Sequence, residues 1–177
     1  MPNYCENTLR IVATTDAARS LLPQIVERFS DKNREPSAFQ FIHPMPAELE
    51  DTTSPGDSPN WYDWRIANWG TKWNECEPYI LQHAGDELVV SFQTAWSPPI
   101  GIYARLCELG FDVLATYAEQ GMGFAGYWHN GHDTELSLEG VNVPDEDEDY
   151  PEDYVVLEKA FAGSGIPSAL LPSGLGG

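Results

Sequence analysis

The order of sequence patterns predicts an α+β domain, with helices covering one face of an antiparallel sheet. Three observations carry that expectation. The chain opens on a strand-like alternation, two stretches carry helix caps around apolar residues at helical spacing, and three strand-like runs separated by glycine turns follow the second of these.

Element by element, CENTLRIVAT (5–14) alternates around Leu9, Ile11 and Ala13 and reads as a strand. TTDAARSLLPQIVERFSDK (14–32) places Leu21, Leu22, Ile25, Val26 and Phe29 at helical spacing. Pro23 requires that helix to kink, or to start near Ser20 with its cap there. SAFQFIHPMP (37–46) reads as a short strand stopped by Pro44 and Pro46, and the next fourteen residues are loop by composition.

Two segments then share one grammar. In SPNWYDWRIANWG, Ser58 is the expected cap, Pro59 the first helical residue and Gly70 the stop. In SPPIGIYARLCELG, Ser97, Pro98 and Gly110 play the same parts, with Ile102, Leu106 and Leu109 on one face. Between them, residues 79–96 read as a hairpin around Gly85. FDVLATYAEQ, FAGYWHN and TELSLEG form an expected meander, with Asn130-Gly131 as the stronger turn signal. The expected division is an α+β domain over 1–143, then an acidic linker and a weakly ordered tail over 144–177. Within that tail, YVVLEKAFAG reads as a short strand or helix.

Charge is the strongest global feature: 9 Lys+Arg against 28 Asp+Glu, a formal −19 over 177 residues. The run PDEDEDYPED (144–153) includes Asp145, Glu146, Asp147, Glu148 and Asp149, and no base. Such a field repels nucleic acid and anionic lipid and attracts basic proteins, although acidic surfaces also serve solubility alone. No apolar run approaches the length of a membrane span, and the N-terminus lacks a signal-peptide pattern, so a soluble cytoplasmic protein is expected. Cys5, Cys76 and Cys107 fit neither a metal knuckle nor a disulfide framework and read as buried thiols.

Five pieces together, MPNYCENTLRI, IHPMP, NWGTKW, FQTAWSPP and GMGFAG, resemble the YubB-like proteins, a family borne on bacteriophages and plasmids. The resemblance spans roughly residues 1–139; Tyr4 stands where Trp is the commoner residue. It implies a ferredoxin-like sheet to which the Trp-rich helix is an insertion and the acidic run a C-terminal extension. It implies no established activity and transfers no catalytic residue.

The remaining motifs are weighed against plainer readings. GMGFAG fits GxGxxG through Gly121, Gly123 and Gly126, but strand-like sequence follows where a dinucleotide site needs a helix. His129, His132 and Asp133 are weak candidates for a metal site, and a solvent-facing Asn-Gly turn accounts for the same residues. No nucleophile arrangement is visible, so no catalytic residue and no cofactor is assigned.

The tryptophan cluster WYDWRIANWGTKW has two readings. Trp61, Trp64, Arg65 and Asn68 share a helical face, with Trp69, Lys72 and Trp73 at its exit. Either the indoles anchor the insertion to the core, or they line a groove with Trp96, Met122 and Phe124. The function expected from charge and resemblance is non-enzymatic. It is binding of a basic host protein, for instance inhibition of one that handles DNA, with no direct nucleic-acid or membrane contact. A small-ligand or metal-binding domain, or an uncharacterised enzyme, is the alternative.

Overall fold

In a computed structural model, which describes residues 3–31, 33–119, 121–138 and 157–172, the first strand becomes the centre of the sheet. β1 (Tyr4–Ala13) turns Cys5, Asn7, Leu9, Ile11 and Ala13 to one buried face. It pairs antiparallel with β3 (Glu87–Ala95) on one edge and β4 (Phe111–Glu119) on the other. β2 (Cys76–Ala84) lies outside β3, while β5 (Phe124–His129) and β6 (His132–Ser137) continue beyond β4. The order is β2-β3-β1-β4-β5-β6, antiparallel throughout.

α1 (Asp16–Ser30) follows β1, and α4 (Ile100–Glu108) lies between β3 and β4. With the first four strands they give the β-α-β-β-α-β order of a ferredoxin-like domain, to which β5 and β6 add a hairpin. Leu22, Ile25 and Phe29 of α1 and Ile102, Tyr103 and Leu106 of α4 are buried against Leu9, Ile11, Val90, Phe92 and Val113. Each such aliphatic side chain contributes roughly 1.5–3 kcal/mol by leaving water.

Pro23 neither starts nor ends α1. Thr15 caps the helix, its Oγ1 accepting from Ala18 N at 3.1 Å, and Pro23 sits inside on the solvent side. There the carbonyl freed four residues back is open to water, which makes an interior proline tolerable.

SAFQFIHPMP is helical, not a strand. α2 (Ala38–Ile42) is a single turn burying Ala38, Phe39 and Ile42. Its start is held by Ser37 Oγ, which accepts from Gln40 N, and by the Glu75 carboxylate, which accepts from Ala38 N at 2.6 Å and Phe39 N at 3.1 Å. Two carboxylate oxygens on the free N–H groups of a helix start outweigh a weak strand pattern. Burial still pushes Glu75 above the usual carboxylate range, with these hydrogen bonds opposing.

The two capping expectations shift as well. α3 (Trp61–Asn68) is capped by Asn60, whose Oδ1 accepts from Asp63 N at 3.0 Å, and not by Ser58. α4 has no side-chain cap; Ser97 Oγ donates to Gly70 O at 2.6 Å, tying the segment before α4 to the exit of α3. The helices meet at Gly101, where a Cβ would lie 1.9 Å from Asn68 O. Of the cysteines, only Cys5 is buried; Cys76 and Cys107 are half-buried.

The second face of the sheet is covered by the end of the described chain. Leu157, Phe161 and Leu171 form a second apolar cluster with Ala118 and Ala125, flanked by Tyr127 and Leu136. Leu171 O accepts from Thr8 Oγ1 at 3.2 Å, and Leu170 O accepts from Thr116 Oγ1. Residues 157–160 are helical and Ser168–Leu170 is a 3₁₀ turn, so residues 157–172 are packed where the sequence suggested a weakly ordered end. Asp145, Glu146, Asp147, Glu148 and Asp149 lie outside the described residues.

Candidate functional site

The insertion between α1 and β2 is built around one indole. α3 itself has no fully buried residue, but Trp69 at its end is 0% exposed and belongs to the main core. Its Nε1 donates to His43 O at 2.8 Å, and its ring meets Phe39 and Trp64 edge-on, each at 5.9 Å. Trp64 also meets the His43 ring at 5.4 Å. Burial lowers the His43 pKa, helped by the Arg105 charge. Asn68 is spent locally, Nδ2 donating to Trp64 O at 2.8 Å. Trp64 and Trp69 thus dock the insertion on the core, while Asn68 bonds only within α3.

Arg65 stands on this base. Its guanidinium carbon lies 4.7 Å from the Trp69 ring centre and 5.4 Å from that of Trp61. Nη1 reaches Lys72 O at 3.4 Å, and Nε is buried with no hydrogen-bond partner. Among the described residues no carboxylate lies within 4.0 Å of it. Desolvation lowers its pKa, with the Glu50 charge opposing. Lys72 is placed likewise, its Nζ 4.2 Å from the Trp73 ring centre and 3.7 Å from that of Trp96. Two of the chain's nine basic side chains therefore rest on indoles here, in cation–π contacts.

A cleft of about 430 Å³ opens beside Arg65, lined by Glu35, Gln40, Met45, Glu50, Trp61, Trp73 and Asn74. Gln40 is braced inside it, bonding Met45 N and O at 3.2 Å each. Asn74 Oδ1 is buried without a partner. Glu35 and Glu50 are exposed. Two indoles and a methionine beside one cation, two carboxylates and two amides give a mixed lining that is more polar than most small-ligand sites.

Only part of the groove expected from sequence assembles. Trp61, Arg65 and Trp73 line the cleft; Trp96 is reached only through Lys72, and Met122 and Phe124 lie apart in the β4–β5 turn and at the start of β5. Trp96 N donates to Asn3 O at 3.0 Å, and Gly121 approaches the Asn3 side chain from the other direction. Glu119 organises that turn, its carboxylate accepting from Gly121 N and Met122 N at 2.8 and 2.7 Å. Gly126 serves close approach, since a Cβ there would lie 2.3 Å from Tyr117 Oη. GMGFAG is therefore a turn between antiparallel strands, without the helix a dinucleotide site needs.

The histidine cluster does not converge. His129 and His132 pair across the β5–β6 turn on one face, while Asp133, one residue on, points to the other and accepts the Tyr117 hydroxyl at 2.7 Å. Among the described residues no group of three His, Cys, Asp or Glu side chains is placed to hold a metal ion. No described helix is long and apolar enough to cross a membrane.

Comparison with known proteins agrees with this architecture. Residues 68–153 match the family model described as the ferredoxin-like domain in Api92-like protein. Among solved structures, the chain is similar to the crystal structure of protein api92 from Yersinia pseudotuberculosis, with a TM-score of 0.52 and 10% identity. That match covers 81% of this chain and 100% of the other, and at this identity it shows the fold alone. No curated protein matches the sequence.

Proposed function

We propose that the protein is a non-enzymatic binding protein whose acidic surface takes a basic macromolecular partner. The observation that carries this reading lies on the insertion. Between residues 35 and 64 the chain has six acids, Glu35, Glu48, Glu50, Asp51, Asp57 and Asp63, and no Lys or Arg, and all six are exposed. They add to the run from Asp145 to Asp149 in a chain of formal charge −19. A field of that sign speeds encounter with a basic surface and sets partner choice more than final affinity.

The YubB-like resemblance, and with it a phage or plasmid setting, belongs to this proposal; the match of residues 68–153 to an Api92-like domain supports the ferredoxin-like fold which that resemblance implies. In that setting a DNA-handling host protein, whose basic face ordinarily meets phosphates, is the partner of matching charge. The cytoplasm is the corresponding compartment.

The test is retention of host proteins on the immobilised protein at low and high salt. It is run beside a variant in which residues 145–149 become Asn and Gln and a second in which Glu48, Glu50, Asp51 and Asp57 do. Substitution keeps residues 157–172 on the sheet, which truncation at residue 144 would remove. A basic protein held at low salt, released at high salt and lost from either variant supports the reading. Retention that ignores both salt and substitution overturns it.

A further inference from the structure

The cleft beside Arg65 poses a problem that the acidic surface does not answer. A half-buried guanidinium with no carboxylate within ion-pair distance among the described residues is unexpected in a chain with 28 acids. Taking a cation partly out of water with no directly bonded carboxylate, and only the Glu50 charge to offset the loss, is costly. The wall also leaves a donor, Arg65 Nε, and an acceptor, Asn74 Oδ1, unpaired and shut off from solvent. Arg28 Nε, Arg34 Nε and His43 Nδ1 are unpaired likewise but do not line this cleft, so an unpaired donor and an unpaired acceptor on one wall call for an explanation of their own.

The remaining lining narrows what the occupant is. Trp61 and Trp73 offer indole surface, which favours a flat aromatic body. Arg65 requires an acceptor edge. Glu35 and Glu50 on the same cleft accept hydrogen bonds and repel anions, so the occupant needs donors beside its acceptors and no negative charge of its own. A volume of about 430 Å³ is in the range of small-molecule sites.

We propose that this cleft binds a neutral purine nucleoside of the guanosine type. The base stacks on Trp61 and Trp73, presents O6 and N7 to the Arg65 fork, and donates N1–H and the exocyclic amine to Glu50. Arginine is the side chain that reads the O6/N7 edge in a bidentate way, and a carboxylate accepts from base N–H groups. The chain's charge sets the selection against phosphates, so the nucleoside binds and its phosphates do not. This site stands independently of the basic-partner reading.

Equilibrium dialysis with guanosine, adenosine and guanosine monophosphate is the test, accompanied by NMR of the Trp indole N–H signals. Guanosine is expected to bind at least tenfold more tightly than adenosine or the monophosphate at low salt, and to shift the Trp61 and Trp73 signals. Glu50→Gln, an exposed change that leaves the core intact, is expected to weaken guanosine at least tenfold, as is Arg65→Lys, which keeps the charge but loses the fork. Equal binding of all three ligands, or no binding of guanosine at millimolar concentration, overturns the proposal. So does undiminished binding by a folded Glu50→Gln variant.

Discussion

The Tyr103 hydroxyl donates to Asn7 Oδ1 at 2.9 Å, with both residues 0% exposed. Asn7 completes the arrangement by donating Nδ2 to Cys5 O at 2.8 Å and Thr94 Oγ1 at 2.9 Å. One buried amide thus ties α4 to β1 and β3. Tyr103→Phe removes the donor and leaves a buried acceptor unpaired, a loss of about 1–3 kcal/mol. Urea unfolding checks it; an unchanged midpoint contradicts the role.

The Tyr117 ring occupies the space a side chain would take at position 126. Gly126→Ala places a methyl 2.3 Å from Tyr117 Oη and 2.4 Å from Cζ, so the ring must move and the bond to Asp133 is lost. Overpacking of this kind costs about 1–3 kcal/mol. Combining it with Tyr117→Leu should recover part of the loss. Thermal melts of the single and double variants decide this, and a double variant worse than both singles counts against it.

Glu6, 8% exposed, has its carboxyl raised above the usual range by burial, with Gln93 Nε2 opposing from 2.6 Å. The folded state therefore holds this proton more tightly than the unfolded chain. Its contribution is fully present below the unfolded pKa and is lost as pH rises through the folded one. Glu6→Gln still accepts from Gln93 and does not ionise, so the variant should gain on the natural protein between pH 4 and pH 7. Urea midpoints at the two pH values test this; the same difference at both contradicts it.

Phe161, 4% exposed, is the large side chain of the second cluster, and its ring lies 6.4 Å from Tyr127. Phe161→Ala should cost about 3–5 kcal/mol. It should also increase binding of a hydrophobic dye as Ala118, Ala125 and Leu136 become accessible. A stability change below about 1 kcal/mol, the size expected at surface positions, would mean that this cover contributes little.

What was legible in the sequence had local causes. The strands announce themselves because the period-2 pattern of Leu9, Ile11 and Ala13 or of Leu88, Val90 and Phe92 repeats within a few residues. α2 was misread because much of its stabilisation comes from Glu75, more than thirty residues downstream. The packed end was misread because Leu157, Phe161 and Leu171 are spread among Gly, Pro and Ser, and find their partners on β4 and β5. The site divides in the same way. Trp61, Arg65 and Trp73 stood out by residue type, whereas Gln40, Met45, Glu50 and Asn74 join them only through the fold.

The central place of β1 also governs the order of events during synthesis. The strand made first takes both of its neighbours from far downstream, Glu87–Ala95 and Phe111–Glu119. At roughly 5–20 residues per second the ribosome needs several seconds to supply even the nearer one. Through that interval both edges of Tyr4–Ala13 lack their sheet neighbours, and its apolar side chains have only α1, α2 and the insertion to collapse on. Conditions that slow elongation before residue 95 should therefore lengthen the period of greatest exposure to chaperones and to aggregation.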